Sequence, residues 1–186
     1  GTNERRLYNY TAATQQIASA RVDIGGSSPT GASRTVAGAV NPTNGWYYFG
    51  AATSNSLENL YRYNPADGTF AQVAPIPAAA TTPNAVNGDI AFDADGNMYL
   101  AGPGAIIKIA AANVLNGTLA SGATISSTPD AARAGIAFDA SGKLYLQSSA
   151  FSGSTPTSSG IVQINPANGA VIGASSTGEG AFAVAD

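Results

Sequence analysis

Gly88-Asp89-Ile90-Ala91-Phe92-Asp93-Ala94-Asp95-Gly96-Asn97-Met98-Tyr99-Leu100 lines up with Ala134-Gly135-Ile136-Ala137-Phe138-Asp139-Ala140-Ser141-Gly142-Lys143-Leu144-Tyr145-Leu146, one unit written twice. Ile90 and Phe92, then Met98 and Leu100, alternate with period two, which reads as two strands. Between them Asp-x-Asp-Gly or Asp-x-Ser-Gly is hairpin-turn chemistry, with glycine supplying positive φ. A looser third copy runs from Val36 to Phe49, where Asn41-Pro42-Thr43-Asn44-Gly45 makes the turn.

A second motif follows each copy. Leu60-Tyr61-Arg62-Tyr63-Asn64-Pro65-Ala66-Asp67-Gly68 matches Ile161-Val162-Gln163-Ile164-Asn165-Pro166-Ala167-Asn168-Gly169, and Ile106 to Ile109 holds the same place in the middle unit. Proline fixes the first turn residue and glycine the last. Each unit therefore has four strands, in the clearest copy near 89–93, 97–101, 105–110 and 123–127. Four antiparallel strands recurring at this period, with helix signals nearly absent, predict an all-β fold built of propeller blades.

Arg6 to Thr11 resembles a third strand and Ala18 to Ile24 a fourth, while Gly180 to Asp186 resembles the first strand of a new blade. The expected division is a closing blade made of 1–33 and 179–186, with whole blades at 34–83, 84–130 and 131–178. That gives about four blades, three complete and one shared between the termini, or else part of a larger ring.

The Gly135 to Leu146 unit resembles the NHL-repeat and gluconolactonase-like propellers, whose signature is a small-apolar strand, a D-x-x-G turn and a second apolar strand. The 60–68 stretch resembles the outer hairpin of propeller modules in large bacterial surface and adhesin-like proteins. Gluconolactonase-like enzymes hold a divalent metal with a Glu, Asn and Asp set at the mouth of the central channel; no residue of this chain is assigned to that set.

Composition narrows the chemistry. Among 186 residues, 10% are charged and 44% apolar, and there is neither histidine nor cysteine. Disulfides, Cys/His metal sites and imidazole acid/base work are thereby removed. Eight basic against eleven acidic residues give a net charge of -3, with Arg5-Arg6 the only adjacent basic pair. Nucleic-acid binding, which needs a clustered basic surface, is not expected. No apolar stretch is long enough for a membrane-spanning helix. Low charge with abundant Ser, Thr and Asn points to an extracellular or cell-surface protein.

Asp93, Asp95 and Asn97 have calcium-loop spacing, so calcium is the one cofactor to consider. The EF-hand pattern needs further ligands and a glutamate at its twelfth place. The repeat at Asp139 replaces two of the oxygens with Ser141 and Lys143, which favours a turn. Paired carboxylates are the acid/base option left, with Asp89, Asp93, Asp95, Asp139 and Glu179 as candidates, although turns already account for most of them. Trp46 and Tyr47 are the candidate ligand-stacking rings. Alternation puts Tyr47 and Phe49 on one face and Trp46 and Tyr48 on the other. Ser/Thr/Gly/Pro runs at 25–33, 74–84 and 148–160 are expected loops.

The function expected from these readings is a non-enzymatic binding or assembly module of a secreted bacterial surface protein, mediating adhesion through protein or glycan contacts. Self-assembly would use the edge strands holding Leu7, Tyr8, Tyr10, Phe182 and Val184. The alternative is a metal-dependent lactonase-like or carboxylate hydrolase with its site at the propeller axis.

Overall fold

In the computed structural model, residues 6–11, 16–23, 34–52, 57–76, 89–101, 105–126, 132–152 and 155–177 are described. They form a β-propeller arrangement of three four-stranded antiparallel sheets and one two-stranded sheet. The hairpin comprises β1 (Arg6–Thr11) and β2 (Gln16–Asp23). The first blade is β3 (Arg34–Val40), β4 (Tyr47–Ala52), β5 (Leu57–Tyr63) and β6 (Phe70–Pro75). The second is β7 (Asp89–Phe92), β8 (Met98–Ala101), β9 (Ile106–Ile109) and β10 (Ala123–Ser126). The third is β11 (Ala132–Phe138), β12 (Leu144–Ser152), β13 (Thr155–Ile164) and β14 (Val171–Thr177). Residues 179–186, expected to supply the first strand of a closing blade, lie outside the described residues.

Turn chemistry sets these hairpins locally. In the turns at 41–46, 64–69 and 165–170 the first asparagine's carbonyl accepts from the glycine N–H, at 2.8, 2.9 and 2.7 Å. The Oδ1 of Asn41, Asn64 and Asn165 accepts from the N–H two residues on, at 3.0, 3.0 and 2.9 Å. Asn44, Asp67 and Asn168 repeat that bond to Trp46, Thr69 and Ala170. The glycines have φ of 70°, 74° and 69°, a region that other L-residues enter only at a cost.

Blades pack face to face with their first strands innermost: β7 lies between β3 and β11. Period-two alternation then gives the first and second blades two apolar faces each. One core joins Tyr48 and Leu60 of the first blade to Ile90, Phe92, Met98, Leu100, Ile107 and Ile109 of the second. Another joins Ala91, Tyr99 and Ile106 of the second blade to Ile136, Leu144, Leu146 and Ile164 of the third. The first blade's other face is aromatic, with Tyr47, Phe49, Tyr61, Tyr63 and Phe70 gathered there. Phe49 lies 5.7 Å from Tyr61, and Tyr61 lies 5.5 Å from Phe70, in near-parallel stacks.

Two local expectations change. Between β9 and β10, where the sequence carries almost no helix signal, the chain forms a short helix, α1 (Ala111–Asn116), and a 3-10 turn at Leu119–Ser121. Val114 and Leu119 are buried in the core between the first two blades, so tertiary burial holds a helix too short to stand alone. The Ser/Thr-rich run expected as a loop at 148–160 is mostly strand, with Ser148 paired to Gly160 and Ser149 to Ser159. The β12–β13 ladder simply continues through it, since threonine suits a strand and serine does not prevent one.

Candidate functional site

Antiparallel order sends the β3–β4, β7–β8 and β11–β12 turns to one end of the blades, together with the β5–β6 and β13–β14 turns. At that end the last residues of the three inner strands line a cleft of about 460 Å³. Its walls are Gly38, Ala39 and Val40 from β3, Ala91 and Phe92 from β7, Ala137 and Phe138 from β11, and Tyr47 from β4. The Tyr47 ring crosses the backbone at Gly38, where a Cβ would collide with its hydroxyl, so glycine is what admits the ring. Val40 is 58% exposed at the rim.

Of the two candidate stacking residues, then, Tyr47 lines this cleft, and its ring stacks on Phe49 at 5.5 Å. Trp46 lies on the opposite face, packed against the core between the first two blades. The Arg62 guanidinium lies 4.6 Å from the Trp46 ring centre, and its Nη1 donates to the Leu115 carbonyl at 3.5 Å. Leu7, Tyr8 and Tyr10 stand in β1, whose backbone pairs Leu7 with Val22, Tyr8 with Arg21 and Tyr10 with Ile17. Phe182 and Val184 lie outside the described residues.

Asp93, Asp95 and Asn97 form the β7–β8 turn. Asp93 Oδ1 accepts from the N–H groups of Asp95 and Asn97 at 3.1 and 2.9 Å, and its Oδ2 accepts from Asn97 Nδ2 at 2.8 Å. The Asn97 side-chain Oδ1 accepts from the Ala111 N–H at 3.1 Å. Asp139 makes the same turn, accepting from the N–H groups of Ser141 and Lys143, both at 2.9 Å. The Lys143 N–H and the Ser141 hydroxyl lead in holding its carboxyl below the usual value of 3.8. Among the described residues no group of three His, Cys, Asp or Glu side chains is placed to hold a metal ion.

Two residues carry roles that their sequence positions did not announce. Asp89 bridges inner strands of adjacent blades: its Oδ1 accepts from the Ile90 N–H and its Oδ2 from the Ile136 N–H, both at 2.8 Å. Tyr99 is fully buried, and its hydroxyl donates to Asp93 Oδ2 at 3.3 Å. Burial raises the Tyr99 phenol above its usual value, and the Lys108 ammonium, donating to that phenol oxygen, is raised as well. Both groups stay protonated at neutral pH, so this pair braces the blade and is not poised for proton transfer. The Asp89 role depends on Ile136, which no local pattern brings beside it.

Comparison with solved structures places this architecture among β-propellers. A catalytically inactive histidine-to-alanine variant of virginiamycin B lyase from Staphylococcus aureus, crystallised with quinupristin, superposes with TM-score 0.57 at 16% identity. The match covers 92% of this chain and 48% of that one, so this chain spans about half the length of the lyase. No family model matches the chain, and no curated protein sequence does. The likeness corrects one expectation, that the chain is not an enzyme: a propeller of the same strand arrangement carries a lyase. Missing histidine removes one proton carrier but leaves carboxylates and phenols, so composition alone did not license that exclusion.

Proposed function

We propose that this chain is a ligand-binding β-propeller module that seats an apolar side chain of a protein or peptide ligand in the cleft at the ends of β3, β7 and β11. The observation that carries this reading is the lining, which is glycine, alanine, valine and aromatic rings from four strands. Between a protein and a glycan ligand, the lining favours the first. A sugar would bury hydroxyls against walls with few partners, at roughly 2–7 kcal/mol for each unpaired group. An extracellular or cell-surface setting, in a module of the NHL or gluconolactonase-like kind, agrees with the low charge and the turn motifs.

A titration with N-acetyl-tryptophanamide, followed by backbone amide NMR, tests the reading. Shifts confined to Gly38, Ala91, Ala137 and their neighbours, and lost in Val40→Asp, are expected. Shifts elsewhere, or none at millimolar probe, would sink it.

A second reading, hydrolysis or elimination at the same axial end, is favoured by one observation, the lyase neighbour. The described residues there do not form a metal-holding set, so the lactonase-like form of this reading has no metal step to derive. Incubation with quinupristin and with a simple aryl lactone, read by mass spectrometry, decides it: an opened product supports catalysis, and unchanged substrate removes it.

A further inference from the structure

Four asparagines in the sequence are followed by glycine, at 44–45, 87–88, 116–117 and 168–169. Such a pair is prone to cyclise, because glycine has no Cβ to hinder its own nitrogen as that nitrogen approaches the asparagine side chain. Asn87 lies outside the described residues. The other three pairs stand in different surroundings.

At 44–45 and 168–169 both reacting groups are held. The Gly45 N–H donates to the Asn41 carbonyl at 2.8 Å, and the Gly169 N–H to the Asn165 carbonyl at 2.7 Å. Asn44 Oδ1 accepts from the Trp46 N–H at 2.9 Å and its Nδ2 donates to the Tyr48 hydroxyl at 3.4 Å, while Asn168 Oδ1 accepts from the Ala170 N–H at 3.0 Å. Each pair also closes a hairpin, so neither can rearrange without opening a turn between paired strands. Asn116 is instead the last residue of α1, and it is exposed. Among the described residues no hydrogen bond is made to its side chain. The Gly117 N–H is shared between the carbonyls of Asn113 and Val114, the second at 3.3 Å. A helical backbone keeps that nitrogen away from the Asn116 Cγ, but a helix of six residues with no side-chain N-cap bond opens readily at its last turn.

We infer that Asn116 is a site of spontaneous deamidation, and that the product loosens α1 from the first blade. The Gly117 nitrogen gives its proton to solvent base and attacks Asn116 Cγ. A nitrogen–carbon bond forms, the Cγ–Nδ2 bond breaks, and Nδ2 leaves as ammonia with a proton from water. Water then opens the succinimide at one carbonyl to give aspartate, or at the other to give isoaspartate; no group is oxidised or reduced. Aspartate puts a negative charge at a helix C-terminus, where the macrodipole is already negative. Isoaspartate also lengthens the main chain by one carbon just ahead of Gly117. That glycine packs closely on β6, where a Cβ added to it would lie 2.8 Å from the Val73 carbonyl oxygen. The Thr118 N–H, which donates to the Asn113 carbonyl at 2.8 Å, and the buried Leu119 would shift with it.

The test is to incubate the folded 186-residue chain in mildly alkaline buffer and follow each site by tryptic peptide mass spectrometry. Cleavage after Lys and Arg puts the four pairs in separate peptides, 35–62, 63–108, 109–133 and 144–186. Asn116 should convert at least about fivefold faster than Asn44 or Asn168, a difference of roughly 1 kcal/mol in barrier. In urea, where turns and helix are gone, the three rates should converge. Ala110→Ser, at the exposed N-cap position, should slow Asn116 by a similar factor by stabilising the helix. In the converted chain, separated by its extra negative charge, the Val114 and Thr118 amides should exchange hydrogen faster than in the parent, while those of β8 hold. Four results would overturn the inference: an Asn116 that converts in urea but stays intact in the folded chain; Asn44 or Asn168 matching its rate; a rate that Ala110→Ser does not slow; or unchanged amide exchange in the converted chain. None of these readouts involves the axial cleft, so this inference and the ligand reading fail separately.

Discussion

The hairpins of the second and third blades begin from almost the same residues and end in different surroundings. Asp93 and Asp139 accept the same backbone N–H groups, and Gly96 and Gly142 have nearly the same φ, 81° and 79°. Around Gly96, however, the turn of the first blade closes in, and a Cβ there would meet Thr43 Oγ1 at 2.8 Å. At Gly142 such a Cβ would meet none of the other described residues within 4 Å. Tyr99 is buried beneath Phe138, while Tyr145 is only half-buried. The turn is thus a property of its own five residues, and its energetic weight is a property of the neighbouring blade.

The sharpest way to break this comparison is at the tyrosines. Tyr99→Ala should destabilise the fold by about 3–5 kcal/mol, as for other large buried rings, whereas Tyr145→Ala should cost roughly 1 kcal/mol. Urea denaturation of the two variants checks this, and equal losses would mean that the third blade is as enclosed as the second.

A smaller difference is expected at the glycines. Alanine at either position carries the left-handed penalty of about 1–2 kcal/mol. Gly96→Ala should lose at least about 1 kcal/mol more than Gly142→Ala, because Thr43 and Asn41 must give way. Thermal unfolding of the pair, each with and without Thr43→Ser, would show whether that side chain carries the excess.

The smallest effect is a pH dependence at the exposed carboxylates. Asp139 titrates below 3.8 through its bonds from Lys143 and Ser141, and Asp67 does so through the Thr69 hydroxyl and N–H. A depressed folded-state pKa means that the ionised form favours the fold. The contribution is whole above the unfolded value and fades as pH falls through the folded one. Asp139→Ala should therefore be less stable than the parent at neutral pH and should converge on it in acid. Carboxyl-carbon NMR titration locates the midpoint, and a midpoint at or above 3.8 would contradict the turn geometry.

What could be read in advance follows the same division. Asn-Pro-x-Asx-Gly and Asp-x-x-Gly carry their conformation in their own side chains, so turns were legible, and strands of the second blade fall within a residue of expectation. Alternation also placed Trp46 and Tyr48 opposite Tyr47 and Phe49. Helix α1 was not legible, because its six residues have no side-chain N-cap bond and depend on where Val114 lands. For Trp46 the deciding partner, Arg62, comes from another strand. The cleft is harder still, since its lining comes from strand ends spread from Gly38 to Phe138, and each segment alone looks like an ordinary apolar strand.

The direction of the tyrosine-on-phenylalanine contact has a consequence for how such a chain can grow. The second blade carries both halves, Phe92 against Tyr48 of the first blade and Tyr99 against Phe138 of the third, so copying that blade copies both halves in matching order. A duplicated segment is born compatible with its parent on either side, and its interfaces need no joint change in two places. Heredity could lengthen this molecule blade by blade, and the likeness of the 88–100 and 134–146 units is what one such event leaves behind.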